Sequence, residues 1–141
     1  MADMRIAVIG NSGGGKSVLA RRLAFELQLP CVEVDTLLWL PARLQRATHI
    51  VLIDMPLWVH YWLAAERQVA WSAGRLEHPP AGSTEPAPLR GLFRTIAEVD
   101  RDWMPEMRKL VQAEEHVGKR VVRLLSFDAL ASFTSVALSA S

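Results

Sequence analysis

The sequence predicts a single α/β domain over residues 1–141, with a mostly parallel sheet of about four strands and helices on both faces. Short apolar runs alternate with longer stretches in which apolar residues recur at helical spacing, as in chains that join parallel strands through helices. Hydrophobic residues make up 50% of the chain, so it can form a core of its own. A glycine-rich loop also follows the first apolar run, at a strand end where open α/β sheets bind ligands.

The glycine-rich loop lies between the first predicted strand, Met4 to Ile9, and an amphipathic helix. It fits the pattern G-x-x-x-x-G-K-[ST] of the phosphate-binding P-loop through Gly10, Asn11, Ser12, Gly13, Gly14, Gly15, Lys16 and Ser17. Glycines let the backbone adopt positive φ and turn its N–H groups inward, so such a loop binds anions. The sequence therefore predicts the three-layer fold of the P-loop NTPases.

The predicted helix begins at Lys16, so its N-terminal N–H groups and positive dipole end should face the same phosphates. We expect Lys16 to contact the β- and γ-phosphates and Ser17 to bind Mg²⁺. Val18 completes the nucleotide-binding stretch. Four apolar residues at helical spacing should place one face of the helix on the sheet before it ends at Pro30: Val18, Leu19, Leu23 and Leu27.

Carboxylates end the second and third predicted strands. Cys31 to Asp35 forms the second, and Asp35 at its tip is expected to be catalytic, orienting an acceptor hydroxyl or holding a Mg²⁺ water. A helix N-cap or a solvated strand end is the alternative for Asp35. After a short crossover interrupted by Pro41, the third strand, His49 to Ile53, ends in Asp54. This carboxylate could hold Mg²⁺ through water, as a Walker B residue does, or cap the next helix.

The helix after Pro56 carries an aromatic and aliphatic stripe, which we expect to face the core: Trp58, Val59, Trp62, Leu63 and Val69. Prolines and glycines then forbid regular structure over residues 72–91 and predict a lid-like surface loop. Arginines in or beside this loop suit phosphate oxygens, although each could equally be a solvated surface group. They are Arg67, Arg75, Arg90 and Arg94.

In the C-terminal part, the pattern predicts a helix that begins at Leu89, is kinked or restarted by Pro105 and ends at Gly118. A strand from Val121 to Leu125 and a short helix from Phe127 to Phe133 are predicted next. The last residues are expected to be frayed.

Composition excludes several classes of protein. The net charge is +1 without a run of like charge, which argues against a nucleic-acid surface. Cys31 is the only cysteine, so an intrachain disulfide and a cysteine metal cluster are excluded, and we expect a buried, reduced thiol. The four histidines lack metal-ligand spacing. Without a basic leader or about 20 consecutive apolar residues, a soluble cytoplasmic protein is expected.

Several of these segments together resemble the topology-modulation (FlaR-like) proteins, a branch of the adenylate-kinase-like P-loop kinases. The matching segments are Arg5 to Ser17, Leu29-Pro30, Val34-Asp35, Leu38-Trp39, Arg46 to Trp58, Gly74 to Glu85 and Lys119 to Ser126. The resemblance implies ATP with Mg²⁺ as ligands, a three-layer α/β fold, and an arginine-bearing lid that includes Arg75.

One segment departs from that family. In the family, a long helix and a strand ending in an acidic residue follow the Leu-Trp-Pro run. Here Trp39-Leu40-Pro41 passes almost directly to the stretch from Ala42 to Arg46, as though by internal deletion. The deletion would leave Asp35 and Asp54 as the candidate carboxylates of the metal site.

The residues and the resemblance together predict a P-loop protein that binds ATP–Mg²⁺ and transfers the γ-phosphoryl to a small acceptor, such as a nucleoside monophosphate. The candidate catalytic residues are Lys16, Asp35 and Arg75. The alternative is a catalytically inactive, truncated or regulatory nucleotide-binding protein whose acceptor site was lost with the missing segment. The sequence leaves the acceptor, the base preference and the oligomeric state open.

Overall fold

The computed structural model describes residues 3–11, 15–30, 40–75 and 89–139. Three strands and seven helices occur in these stretches, in the order β1 (Ile6–Gly10), α1 (Lys16–Leu27), α2 (Leu40–Arg46), β2 (His49–Ile53), α3 (Leu57–Ser72), α4 (Leu89–Asp102), α5 (Met104–His116), β3 (Arg120–Leu124), α6 (Phe127–Ser132) and α7 (Val136–Ser139). None of these helices is long and apolar enough to cross a membrane.

The three strands form a fully parallel sheet in the order β1-β2-β3. Ile6 pairs with His49, and His49 pairs with Arg120, so the strands begin in register. The predicted α/β class and the parallel sheet are confirmed. The second predicted strand, Cys31 to Asp35, and the thiol of Cys31 lie outside the described residues, and within those residues β1 pairs on one side only, with β2.

Helices cover both faces of the sheet. This agrees with the sequence of β2, which is apolar at every position after His49 and so has apolar side chains on both faces. Val51 and Ile53 face one core, which contains Leu19 and Leu23 of α1. On the opposite face Ile50 and Leu52 pack in a second core with Leu44 of α2 and with residues of α5. All four side chains of β2 are fully buried, as expected for a central parallel strand.

Local signals set several helix boundaries. Gln28 ends α1 in the left-handed conformation, with φ 55°. Pro105 lies in the first turn of α5, so the predicted restart of the helix is confirmed. Pro41 also lies in the first described turn of α2, where its missing N–H costs little, and the part of the predicted crossover before Leu40 lies outside the described residues. Lys119 donates to the carbonyls of Leu44 and Gln45 at the C-terminal end of α2.

Two predictions about the core were wrong. The stripe of α3 is divided: Val59 is buried and Leu63 packs against the core, whereas Trp58, Trp62 and Val69 are exposed. In α1 the core takes Leu19 and Leu23, but Val18 is 68% exposed. The apolar arcs of both helices are wider than the part that the sheet covers.

The predicted frayed end was also wrong. The chain forms α7 after residue 135, and Leu138 is buried in the same core as Phe133. Arg120 donates to the carbonyl of Ala137 at 3.0 Å. The C-terminal residues therefore cover the face of the sheet that also carries α1.

Candidate functional site

The carboxyl ends of the three strands coincide at one edge of the sheet. Gly10 pairs with Ile53, and Ile53 pairs with Leu124, and each is the last residue of its strand. The residues that follow, Asn11 and Asp54 among them, therefore lie along the same edge. Open α/β sheets bind their ligands at this edge.

Gly10 fills a position that only glycine fits. Its φ is +153°, and a Cβ built on it would lie 2.5 Å from the carbonyl oxygen of Ile53. The sequence motif indicated positive φ here, which is confirmed, but gave no sign of the close approach to β2. The glycine thus allows β1 to stay paired with β2 up to the first residue of the loop.

Gly15 marks the other end of the loop. It is the N-cap residue of α1, with φ 80° and ψ 17°, and it offers no side chain to accept hydrogen bonds from the first turn. A Cβ on Gly15 would lie 3.4 Å from Leu130 of α6, so this helix packs beside the start of α1. The first turn of α1 consequently directs its backbone N–H groups toward the loop.

Lys16 turns back across the loop. Its Nζ donates a hydrogen bond of 3.0 Å to the carbonyl oxygen of Gly10, six residues earlier. The side chain is partly buried, as is that of Ser17 in the same turn, whereas Val18 points outward. The ammonium group therefore lies over the loop entrance, where an anion wrapped by the loop would meet it. Ser12, Gly13 and Gly14 lie outside the described residues.

Asn11 is a residue whose contact could not be expected from the motif. Its side chain is 1% exposed, and its Nδ2 donates a 2.8 Å hydrogen bond to the carbonyl oxygen of Ile96 in α4. Ile96 is itself fully buried, and α4 also packs on α3, where the rings of Tyr61 and Phe93 lie 4.8 Å apart. The start of the loop is therefore fixed to α4.

Asp54 forms an ion pair with Arg108 of α5. The guanidinium donates to both carboxylate oxygens at 2.8 Å, with side-chain exposures of 18% for Asp54 and 46% for Arg108. These hydrogen bonds raise the pKa of Arg108. The alternative role of Asp54 as a helix cap was wrong, because α3 begins after Pro56 without a side-chain cap. Any contact of Asp54 with a Mg²⁺ water must share the carboxylate with Arg108.

An aromatic cleft opens beside this edge. It has a volume of about 320 Å³ and is lined by Pro56, Trp58, Val59, Trp62, Ser126, Phe127 and Asp128. Trp58 and Trp62 are 65% and 51% exposed, and the ring of Trp62 meets that of Phe127 edge-on at 6.2 Å. Because α6 contributes Phe127 to the cleft and Leu130 to the contact with Gly15, the cleft lies next to the loop. Planar aromatic rings can stack in such a cleft.

The other predicted site residues are placed as follows. Arg75 is exposed just beyond α3, and its backbone N–H donates to the carbonyl of Ala70. Arg67, Arg90 and Arg94 are also exposed. The predicted irregular loop over residues 72–91 was too long, because α4 already begins at Leu89 and includes Gly91. Residues 76–88 of that loop and the candidate catalytic Asp35 lie outside the described residues. Across the described stretches, no three His, Cys, Asp or Glu residues are grouped as metal ligands.

Comparisons of the chain with models of protein families, with curated proteins and with solved structures gave no match. The functional assignment therefore depends on the loop and its surroundings.

Proposed function

We propose that this chain is a P-loop protein of adenylate-kinase-like type, which binds ATP–Mg²⁺ and transfers the γ-phosphoryl to a small acceptor. The observation that carries the proposal is the position of Lys16. Its ammonium donates a hydrogen bond back to the carbonyl of Gly10. Gly10 at the end of β1 and Gly15 at the start of α1 both have positive φ. Strand, glycine loop and helix in this arrangement are what a phosphate-binding loop requires.

In this proposal the loop amides and Lys16 bind the phosphates, and Lys16 exchanges its bond to Gly10 for phosphate oxygens. Ser17 lies in the first turn of α1, where its hydroxyl suits Mg²⁺. Mg²⁺, when bound, would neutralise charge on the phosphoryl group in transfer. Asp35 is proposed to face the acceptor and Arg75 to approach the transferring group.

The aromatic cleft supports a nucleotide rather than a simple phosphate as the ligand. Trp58 and Trp62 keep most of their surface exposed to solvent, although each could bury a large apolar area. Both exposed rings lie beside the sheet edge that carries the loop. We assign the nucleobase to this cleft. Stacking on either indole ring would change tryptophan fluorescence, so binding has an optical signal.

A test compares ATP–Mg²⁺ affinity of the wild-type protein, a Lys16→Ala variant and a Lys109→Ala control. Lys109 is exposed on α5, far along the chain from the loop, and removing it also deletes one positive charge. We expect Lys16→Ala to weaken ATP binding at least about 30-fold, equivalent to roughly 2 kcal/mol, because a buried ionic contact is lost. Equal affinities for the wild-type protein and Lys16→Ala would refute the proposed phosphate site.

Turnover is tested separately, as ADP formation with pooled nucleoside monophosphates, nucleosides and small sugars. Acceptor-dependent ADP formation that disappears in Lys16→Ala would establish a kinase. The second candidate function is a nucleotide-binding protein without catalysis, and the Asp54–Arg108 ion pair favours it, because this pair already occupies a carboxylate expected to serve the metal. ATP that raises the melting temperature without any turnover would support this second function.

A further inference from the structure

The buried side chain of Asn11 is the strongest unexplained feature near the loop. It joins two elements that are distant in sequence, since Asn11 and Ile96 are 85 residues apart. A buried amide that is hydrogen-bonded to a helix carbonyl fixes both partners, because leaving either group unpaired costs about 1–3 kcal/mol. Since the next three residues belong to the phosphate loop, the amide fixes the point from which the loop departs.

The loop is thus held from two directions. On the side of α1, Gly15 packs near Leu130 of α6. On the opposite side, Asn11 is bound to α4, which is held in turn by α3 and by the second core through Val99. A shift of α4 would therefore act on Asn11 through this hydrogen bond, and an anion that stabilises the position of Asn11 would also stabilise α4.

We propose that Asn11 is a positioning residue that couples occupancy of the phosphate loop to the stability of α4. The hydrogen bond to Ile96 fixes the position of Asn11, from which the loop continues, and the coupling rests on the proposed function, because it requires phosphates in the loop. Asn11 acts through the backbone and touches neither the phosphoryl group nor the acceptor.

The first experiment needs no variant. Hydrogen exchange of the wild-type protein is followed with and without ATP–Mg²⁺, and separately with adenosine, which lacks phosphates. We expect ATP to slow exchange in both α1 and α4, and adenosine to leave α4 unchanged. If ATP protects α1 but not α4, the coupling is refuted, while the phosphate site stands.

The second experiment compares Asn11→Ala with Thr48→Val. Thr48 makes side-chain hydrogen bonds with both the N–H and the carbonyl of Arg5, at the opposite end of the sheet, so its removal also breaks side-chain to backbone bonds. We expect Asn11→Ala to weaken ATP binding about tenfold, equivalent to one buried hydrogen bond, with adenosine affinity unchanged. Thr48→Val should lower the melting temperature without changing either affinity.

The outcomes separate the two proposals. A wild-type protein that does not bind ATP overturns both the proposed function and the coupling. ATP binding that is equal in the wild-type protein and Asn11→Ala overturns the coupling alone. A parallel loss of ATP and adenosine affinity, or the same loss in Thr48→Val, would show a general loss of structure and would also overturn it. If Asn11→Ala does not fold, the exchange experiment on the wild-type protein still decides.

Discussion

Replacement of Gly10 by alanine tests the geometry of the loop entrance most directly. The added Cβ would lie 2.5 Å from the carbonyl oxygen of Ile53 and 3.0 Å from its Cβ, whereas an ordinary C···O contact is about 3.3 Å or longer. Gly10 and Ile53 end paired strands, so the clash can only be relieved by separating β1 from β2 at this edge. Overpacking costs roughly 1–3 kcal/mol. The φ of +153° adds about 1–3 kcal/mol.

We therefore expect Gly10→Ala to lower the free energy of unfolding by about 2–6 kcal/mol. The measurement is urea unfolding followed by far-UV circular dichroism, with the slope compared between variants. Gly91→Ala is the matched control, because a Cβ at Gly91 in α4 has no neighbour within 4 Å. Since alanine favours a helix, the control should be neutral or more stable by up to about 1 kcal/mol. A Gly10→Ala variant within about 0.5 kcal/mol of wild type would refute the reasoning.

Three further predictions concern ionic contacts of residues outside the loop. Lys119→Met leaves two carbonyls of α2 and the partly buried Glu114 without their cation. We expect it to lower the free energy of unfolding, measured in urea, by about 1–3 kcal/mol. The control Lys109→Met should leave this free energy unchanged. A double-mutant cycle of Asp54→Asn and Arg108→Met should give a coupling of about 0.5–1 kcal/mol, because the pair is bidentate but half exposed; a coupling of zero would contradict the observed geometry. The hydrogen bonds from Arg123 lower the pKa of Glu115. The pair therefore stabilises the fold at pH values above the pKa of this carboxyl in the unfolded chain. This stabilisation is lost as pH falls through the lower pKa of the folded protein. The stability difference between wild type and Glu115→Gln should accordingly be present at pH 7, and it should be lost as pH falls below the ordinary carboxyl pKa of about 4.3 and through the lower folded-state pKa. A difference that persists at lower pH would exclude the ionic cause.

The strands and the loop could be predicted because their signals are local. An apolar run such as His49 to Ile53, bounded by polar residues, predicts a buried strand, and the structure places β2 at these residues. Pro105 gave the break between α4 and α5 because proline suits a first turn and no other part of a helix. The positive φ of Gly10 and Gly15 likewise follows from their places in the glycine-rich motif, because glycine adopts this conformation at little cost.

Contacts between distant parts of the chain could not be predicted in this way. The pairing of Asp54 with Arg108 joins residues 54 positions apart, and it depends on how α5 lies across the sheet. The exposure of Trp58 and Trp62 also depends on how distant elements pack. Both lie beside Val59 on one arc of α3, and helical spacing does not show which part of that arc is buried against the core. Sequence patterns therefore predicted a glycine loop between β1 and α1, but not the aromatic cleft beside it or the hydrogen bond of Asn11 to α4.

The arrangement of the described strands explains how the entrance of the loop is held. The resemblance to the topology-modulation proteins implies the loss of a strand beside β1. The described contacts of the loop entrance lie on β2 and on the helices: Gly10 against Ile53, Lys16 on the Gly10 carbonyl, and Asn11 on Ile96. Since β2 is buried on both faces and paired on both edges, it supports β1 along the whole length of their pairing. The proposed phosphate binding should consequently be weakened by changes along β2 and α4 that disturb these contacts.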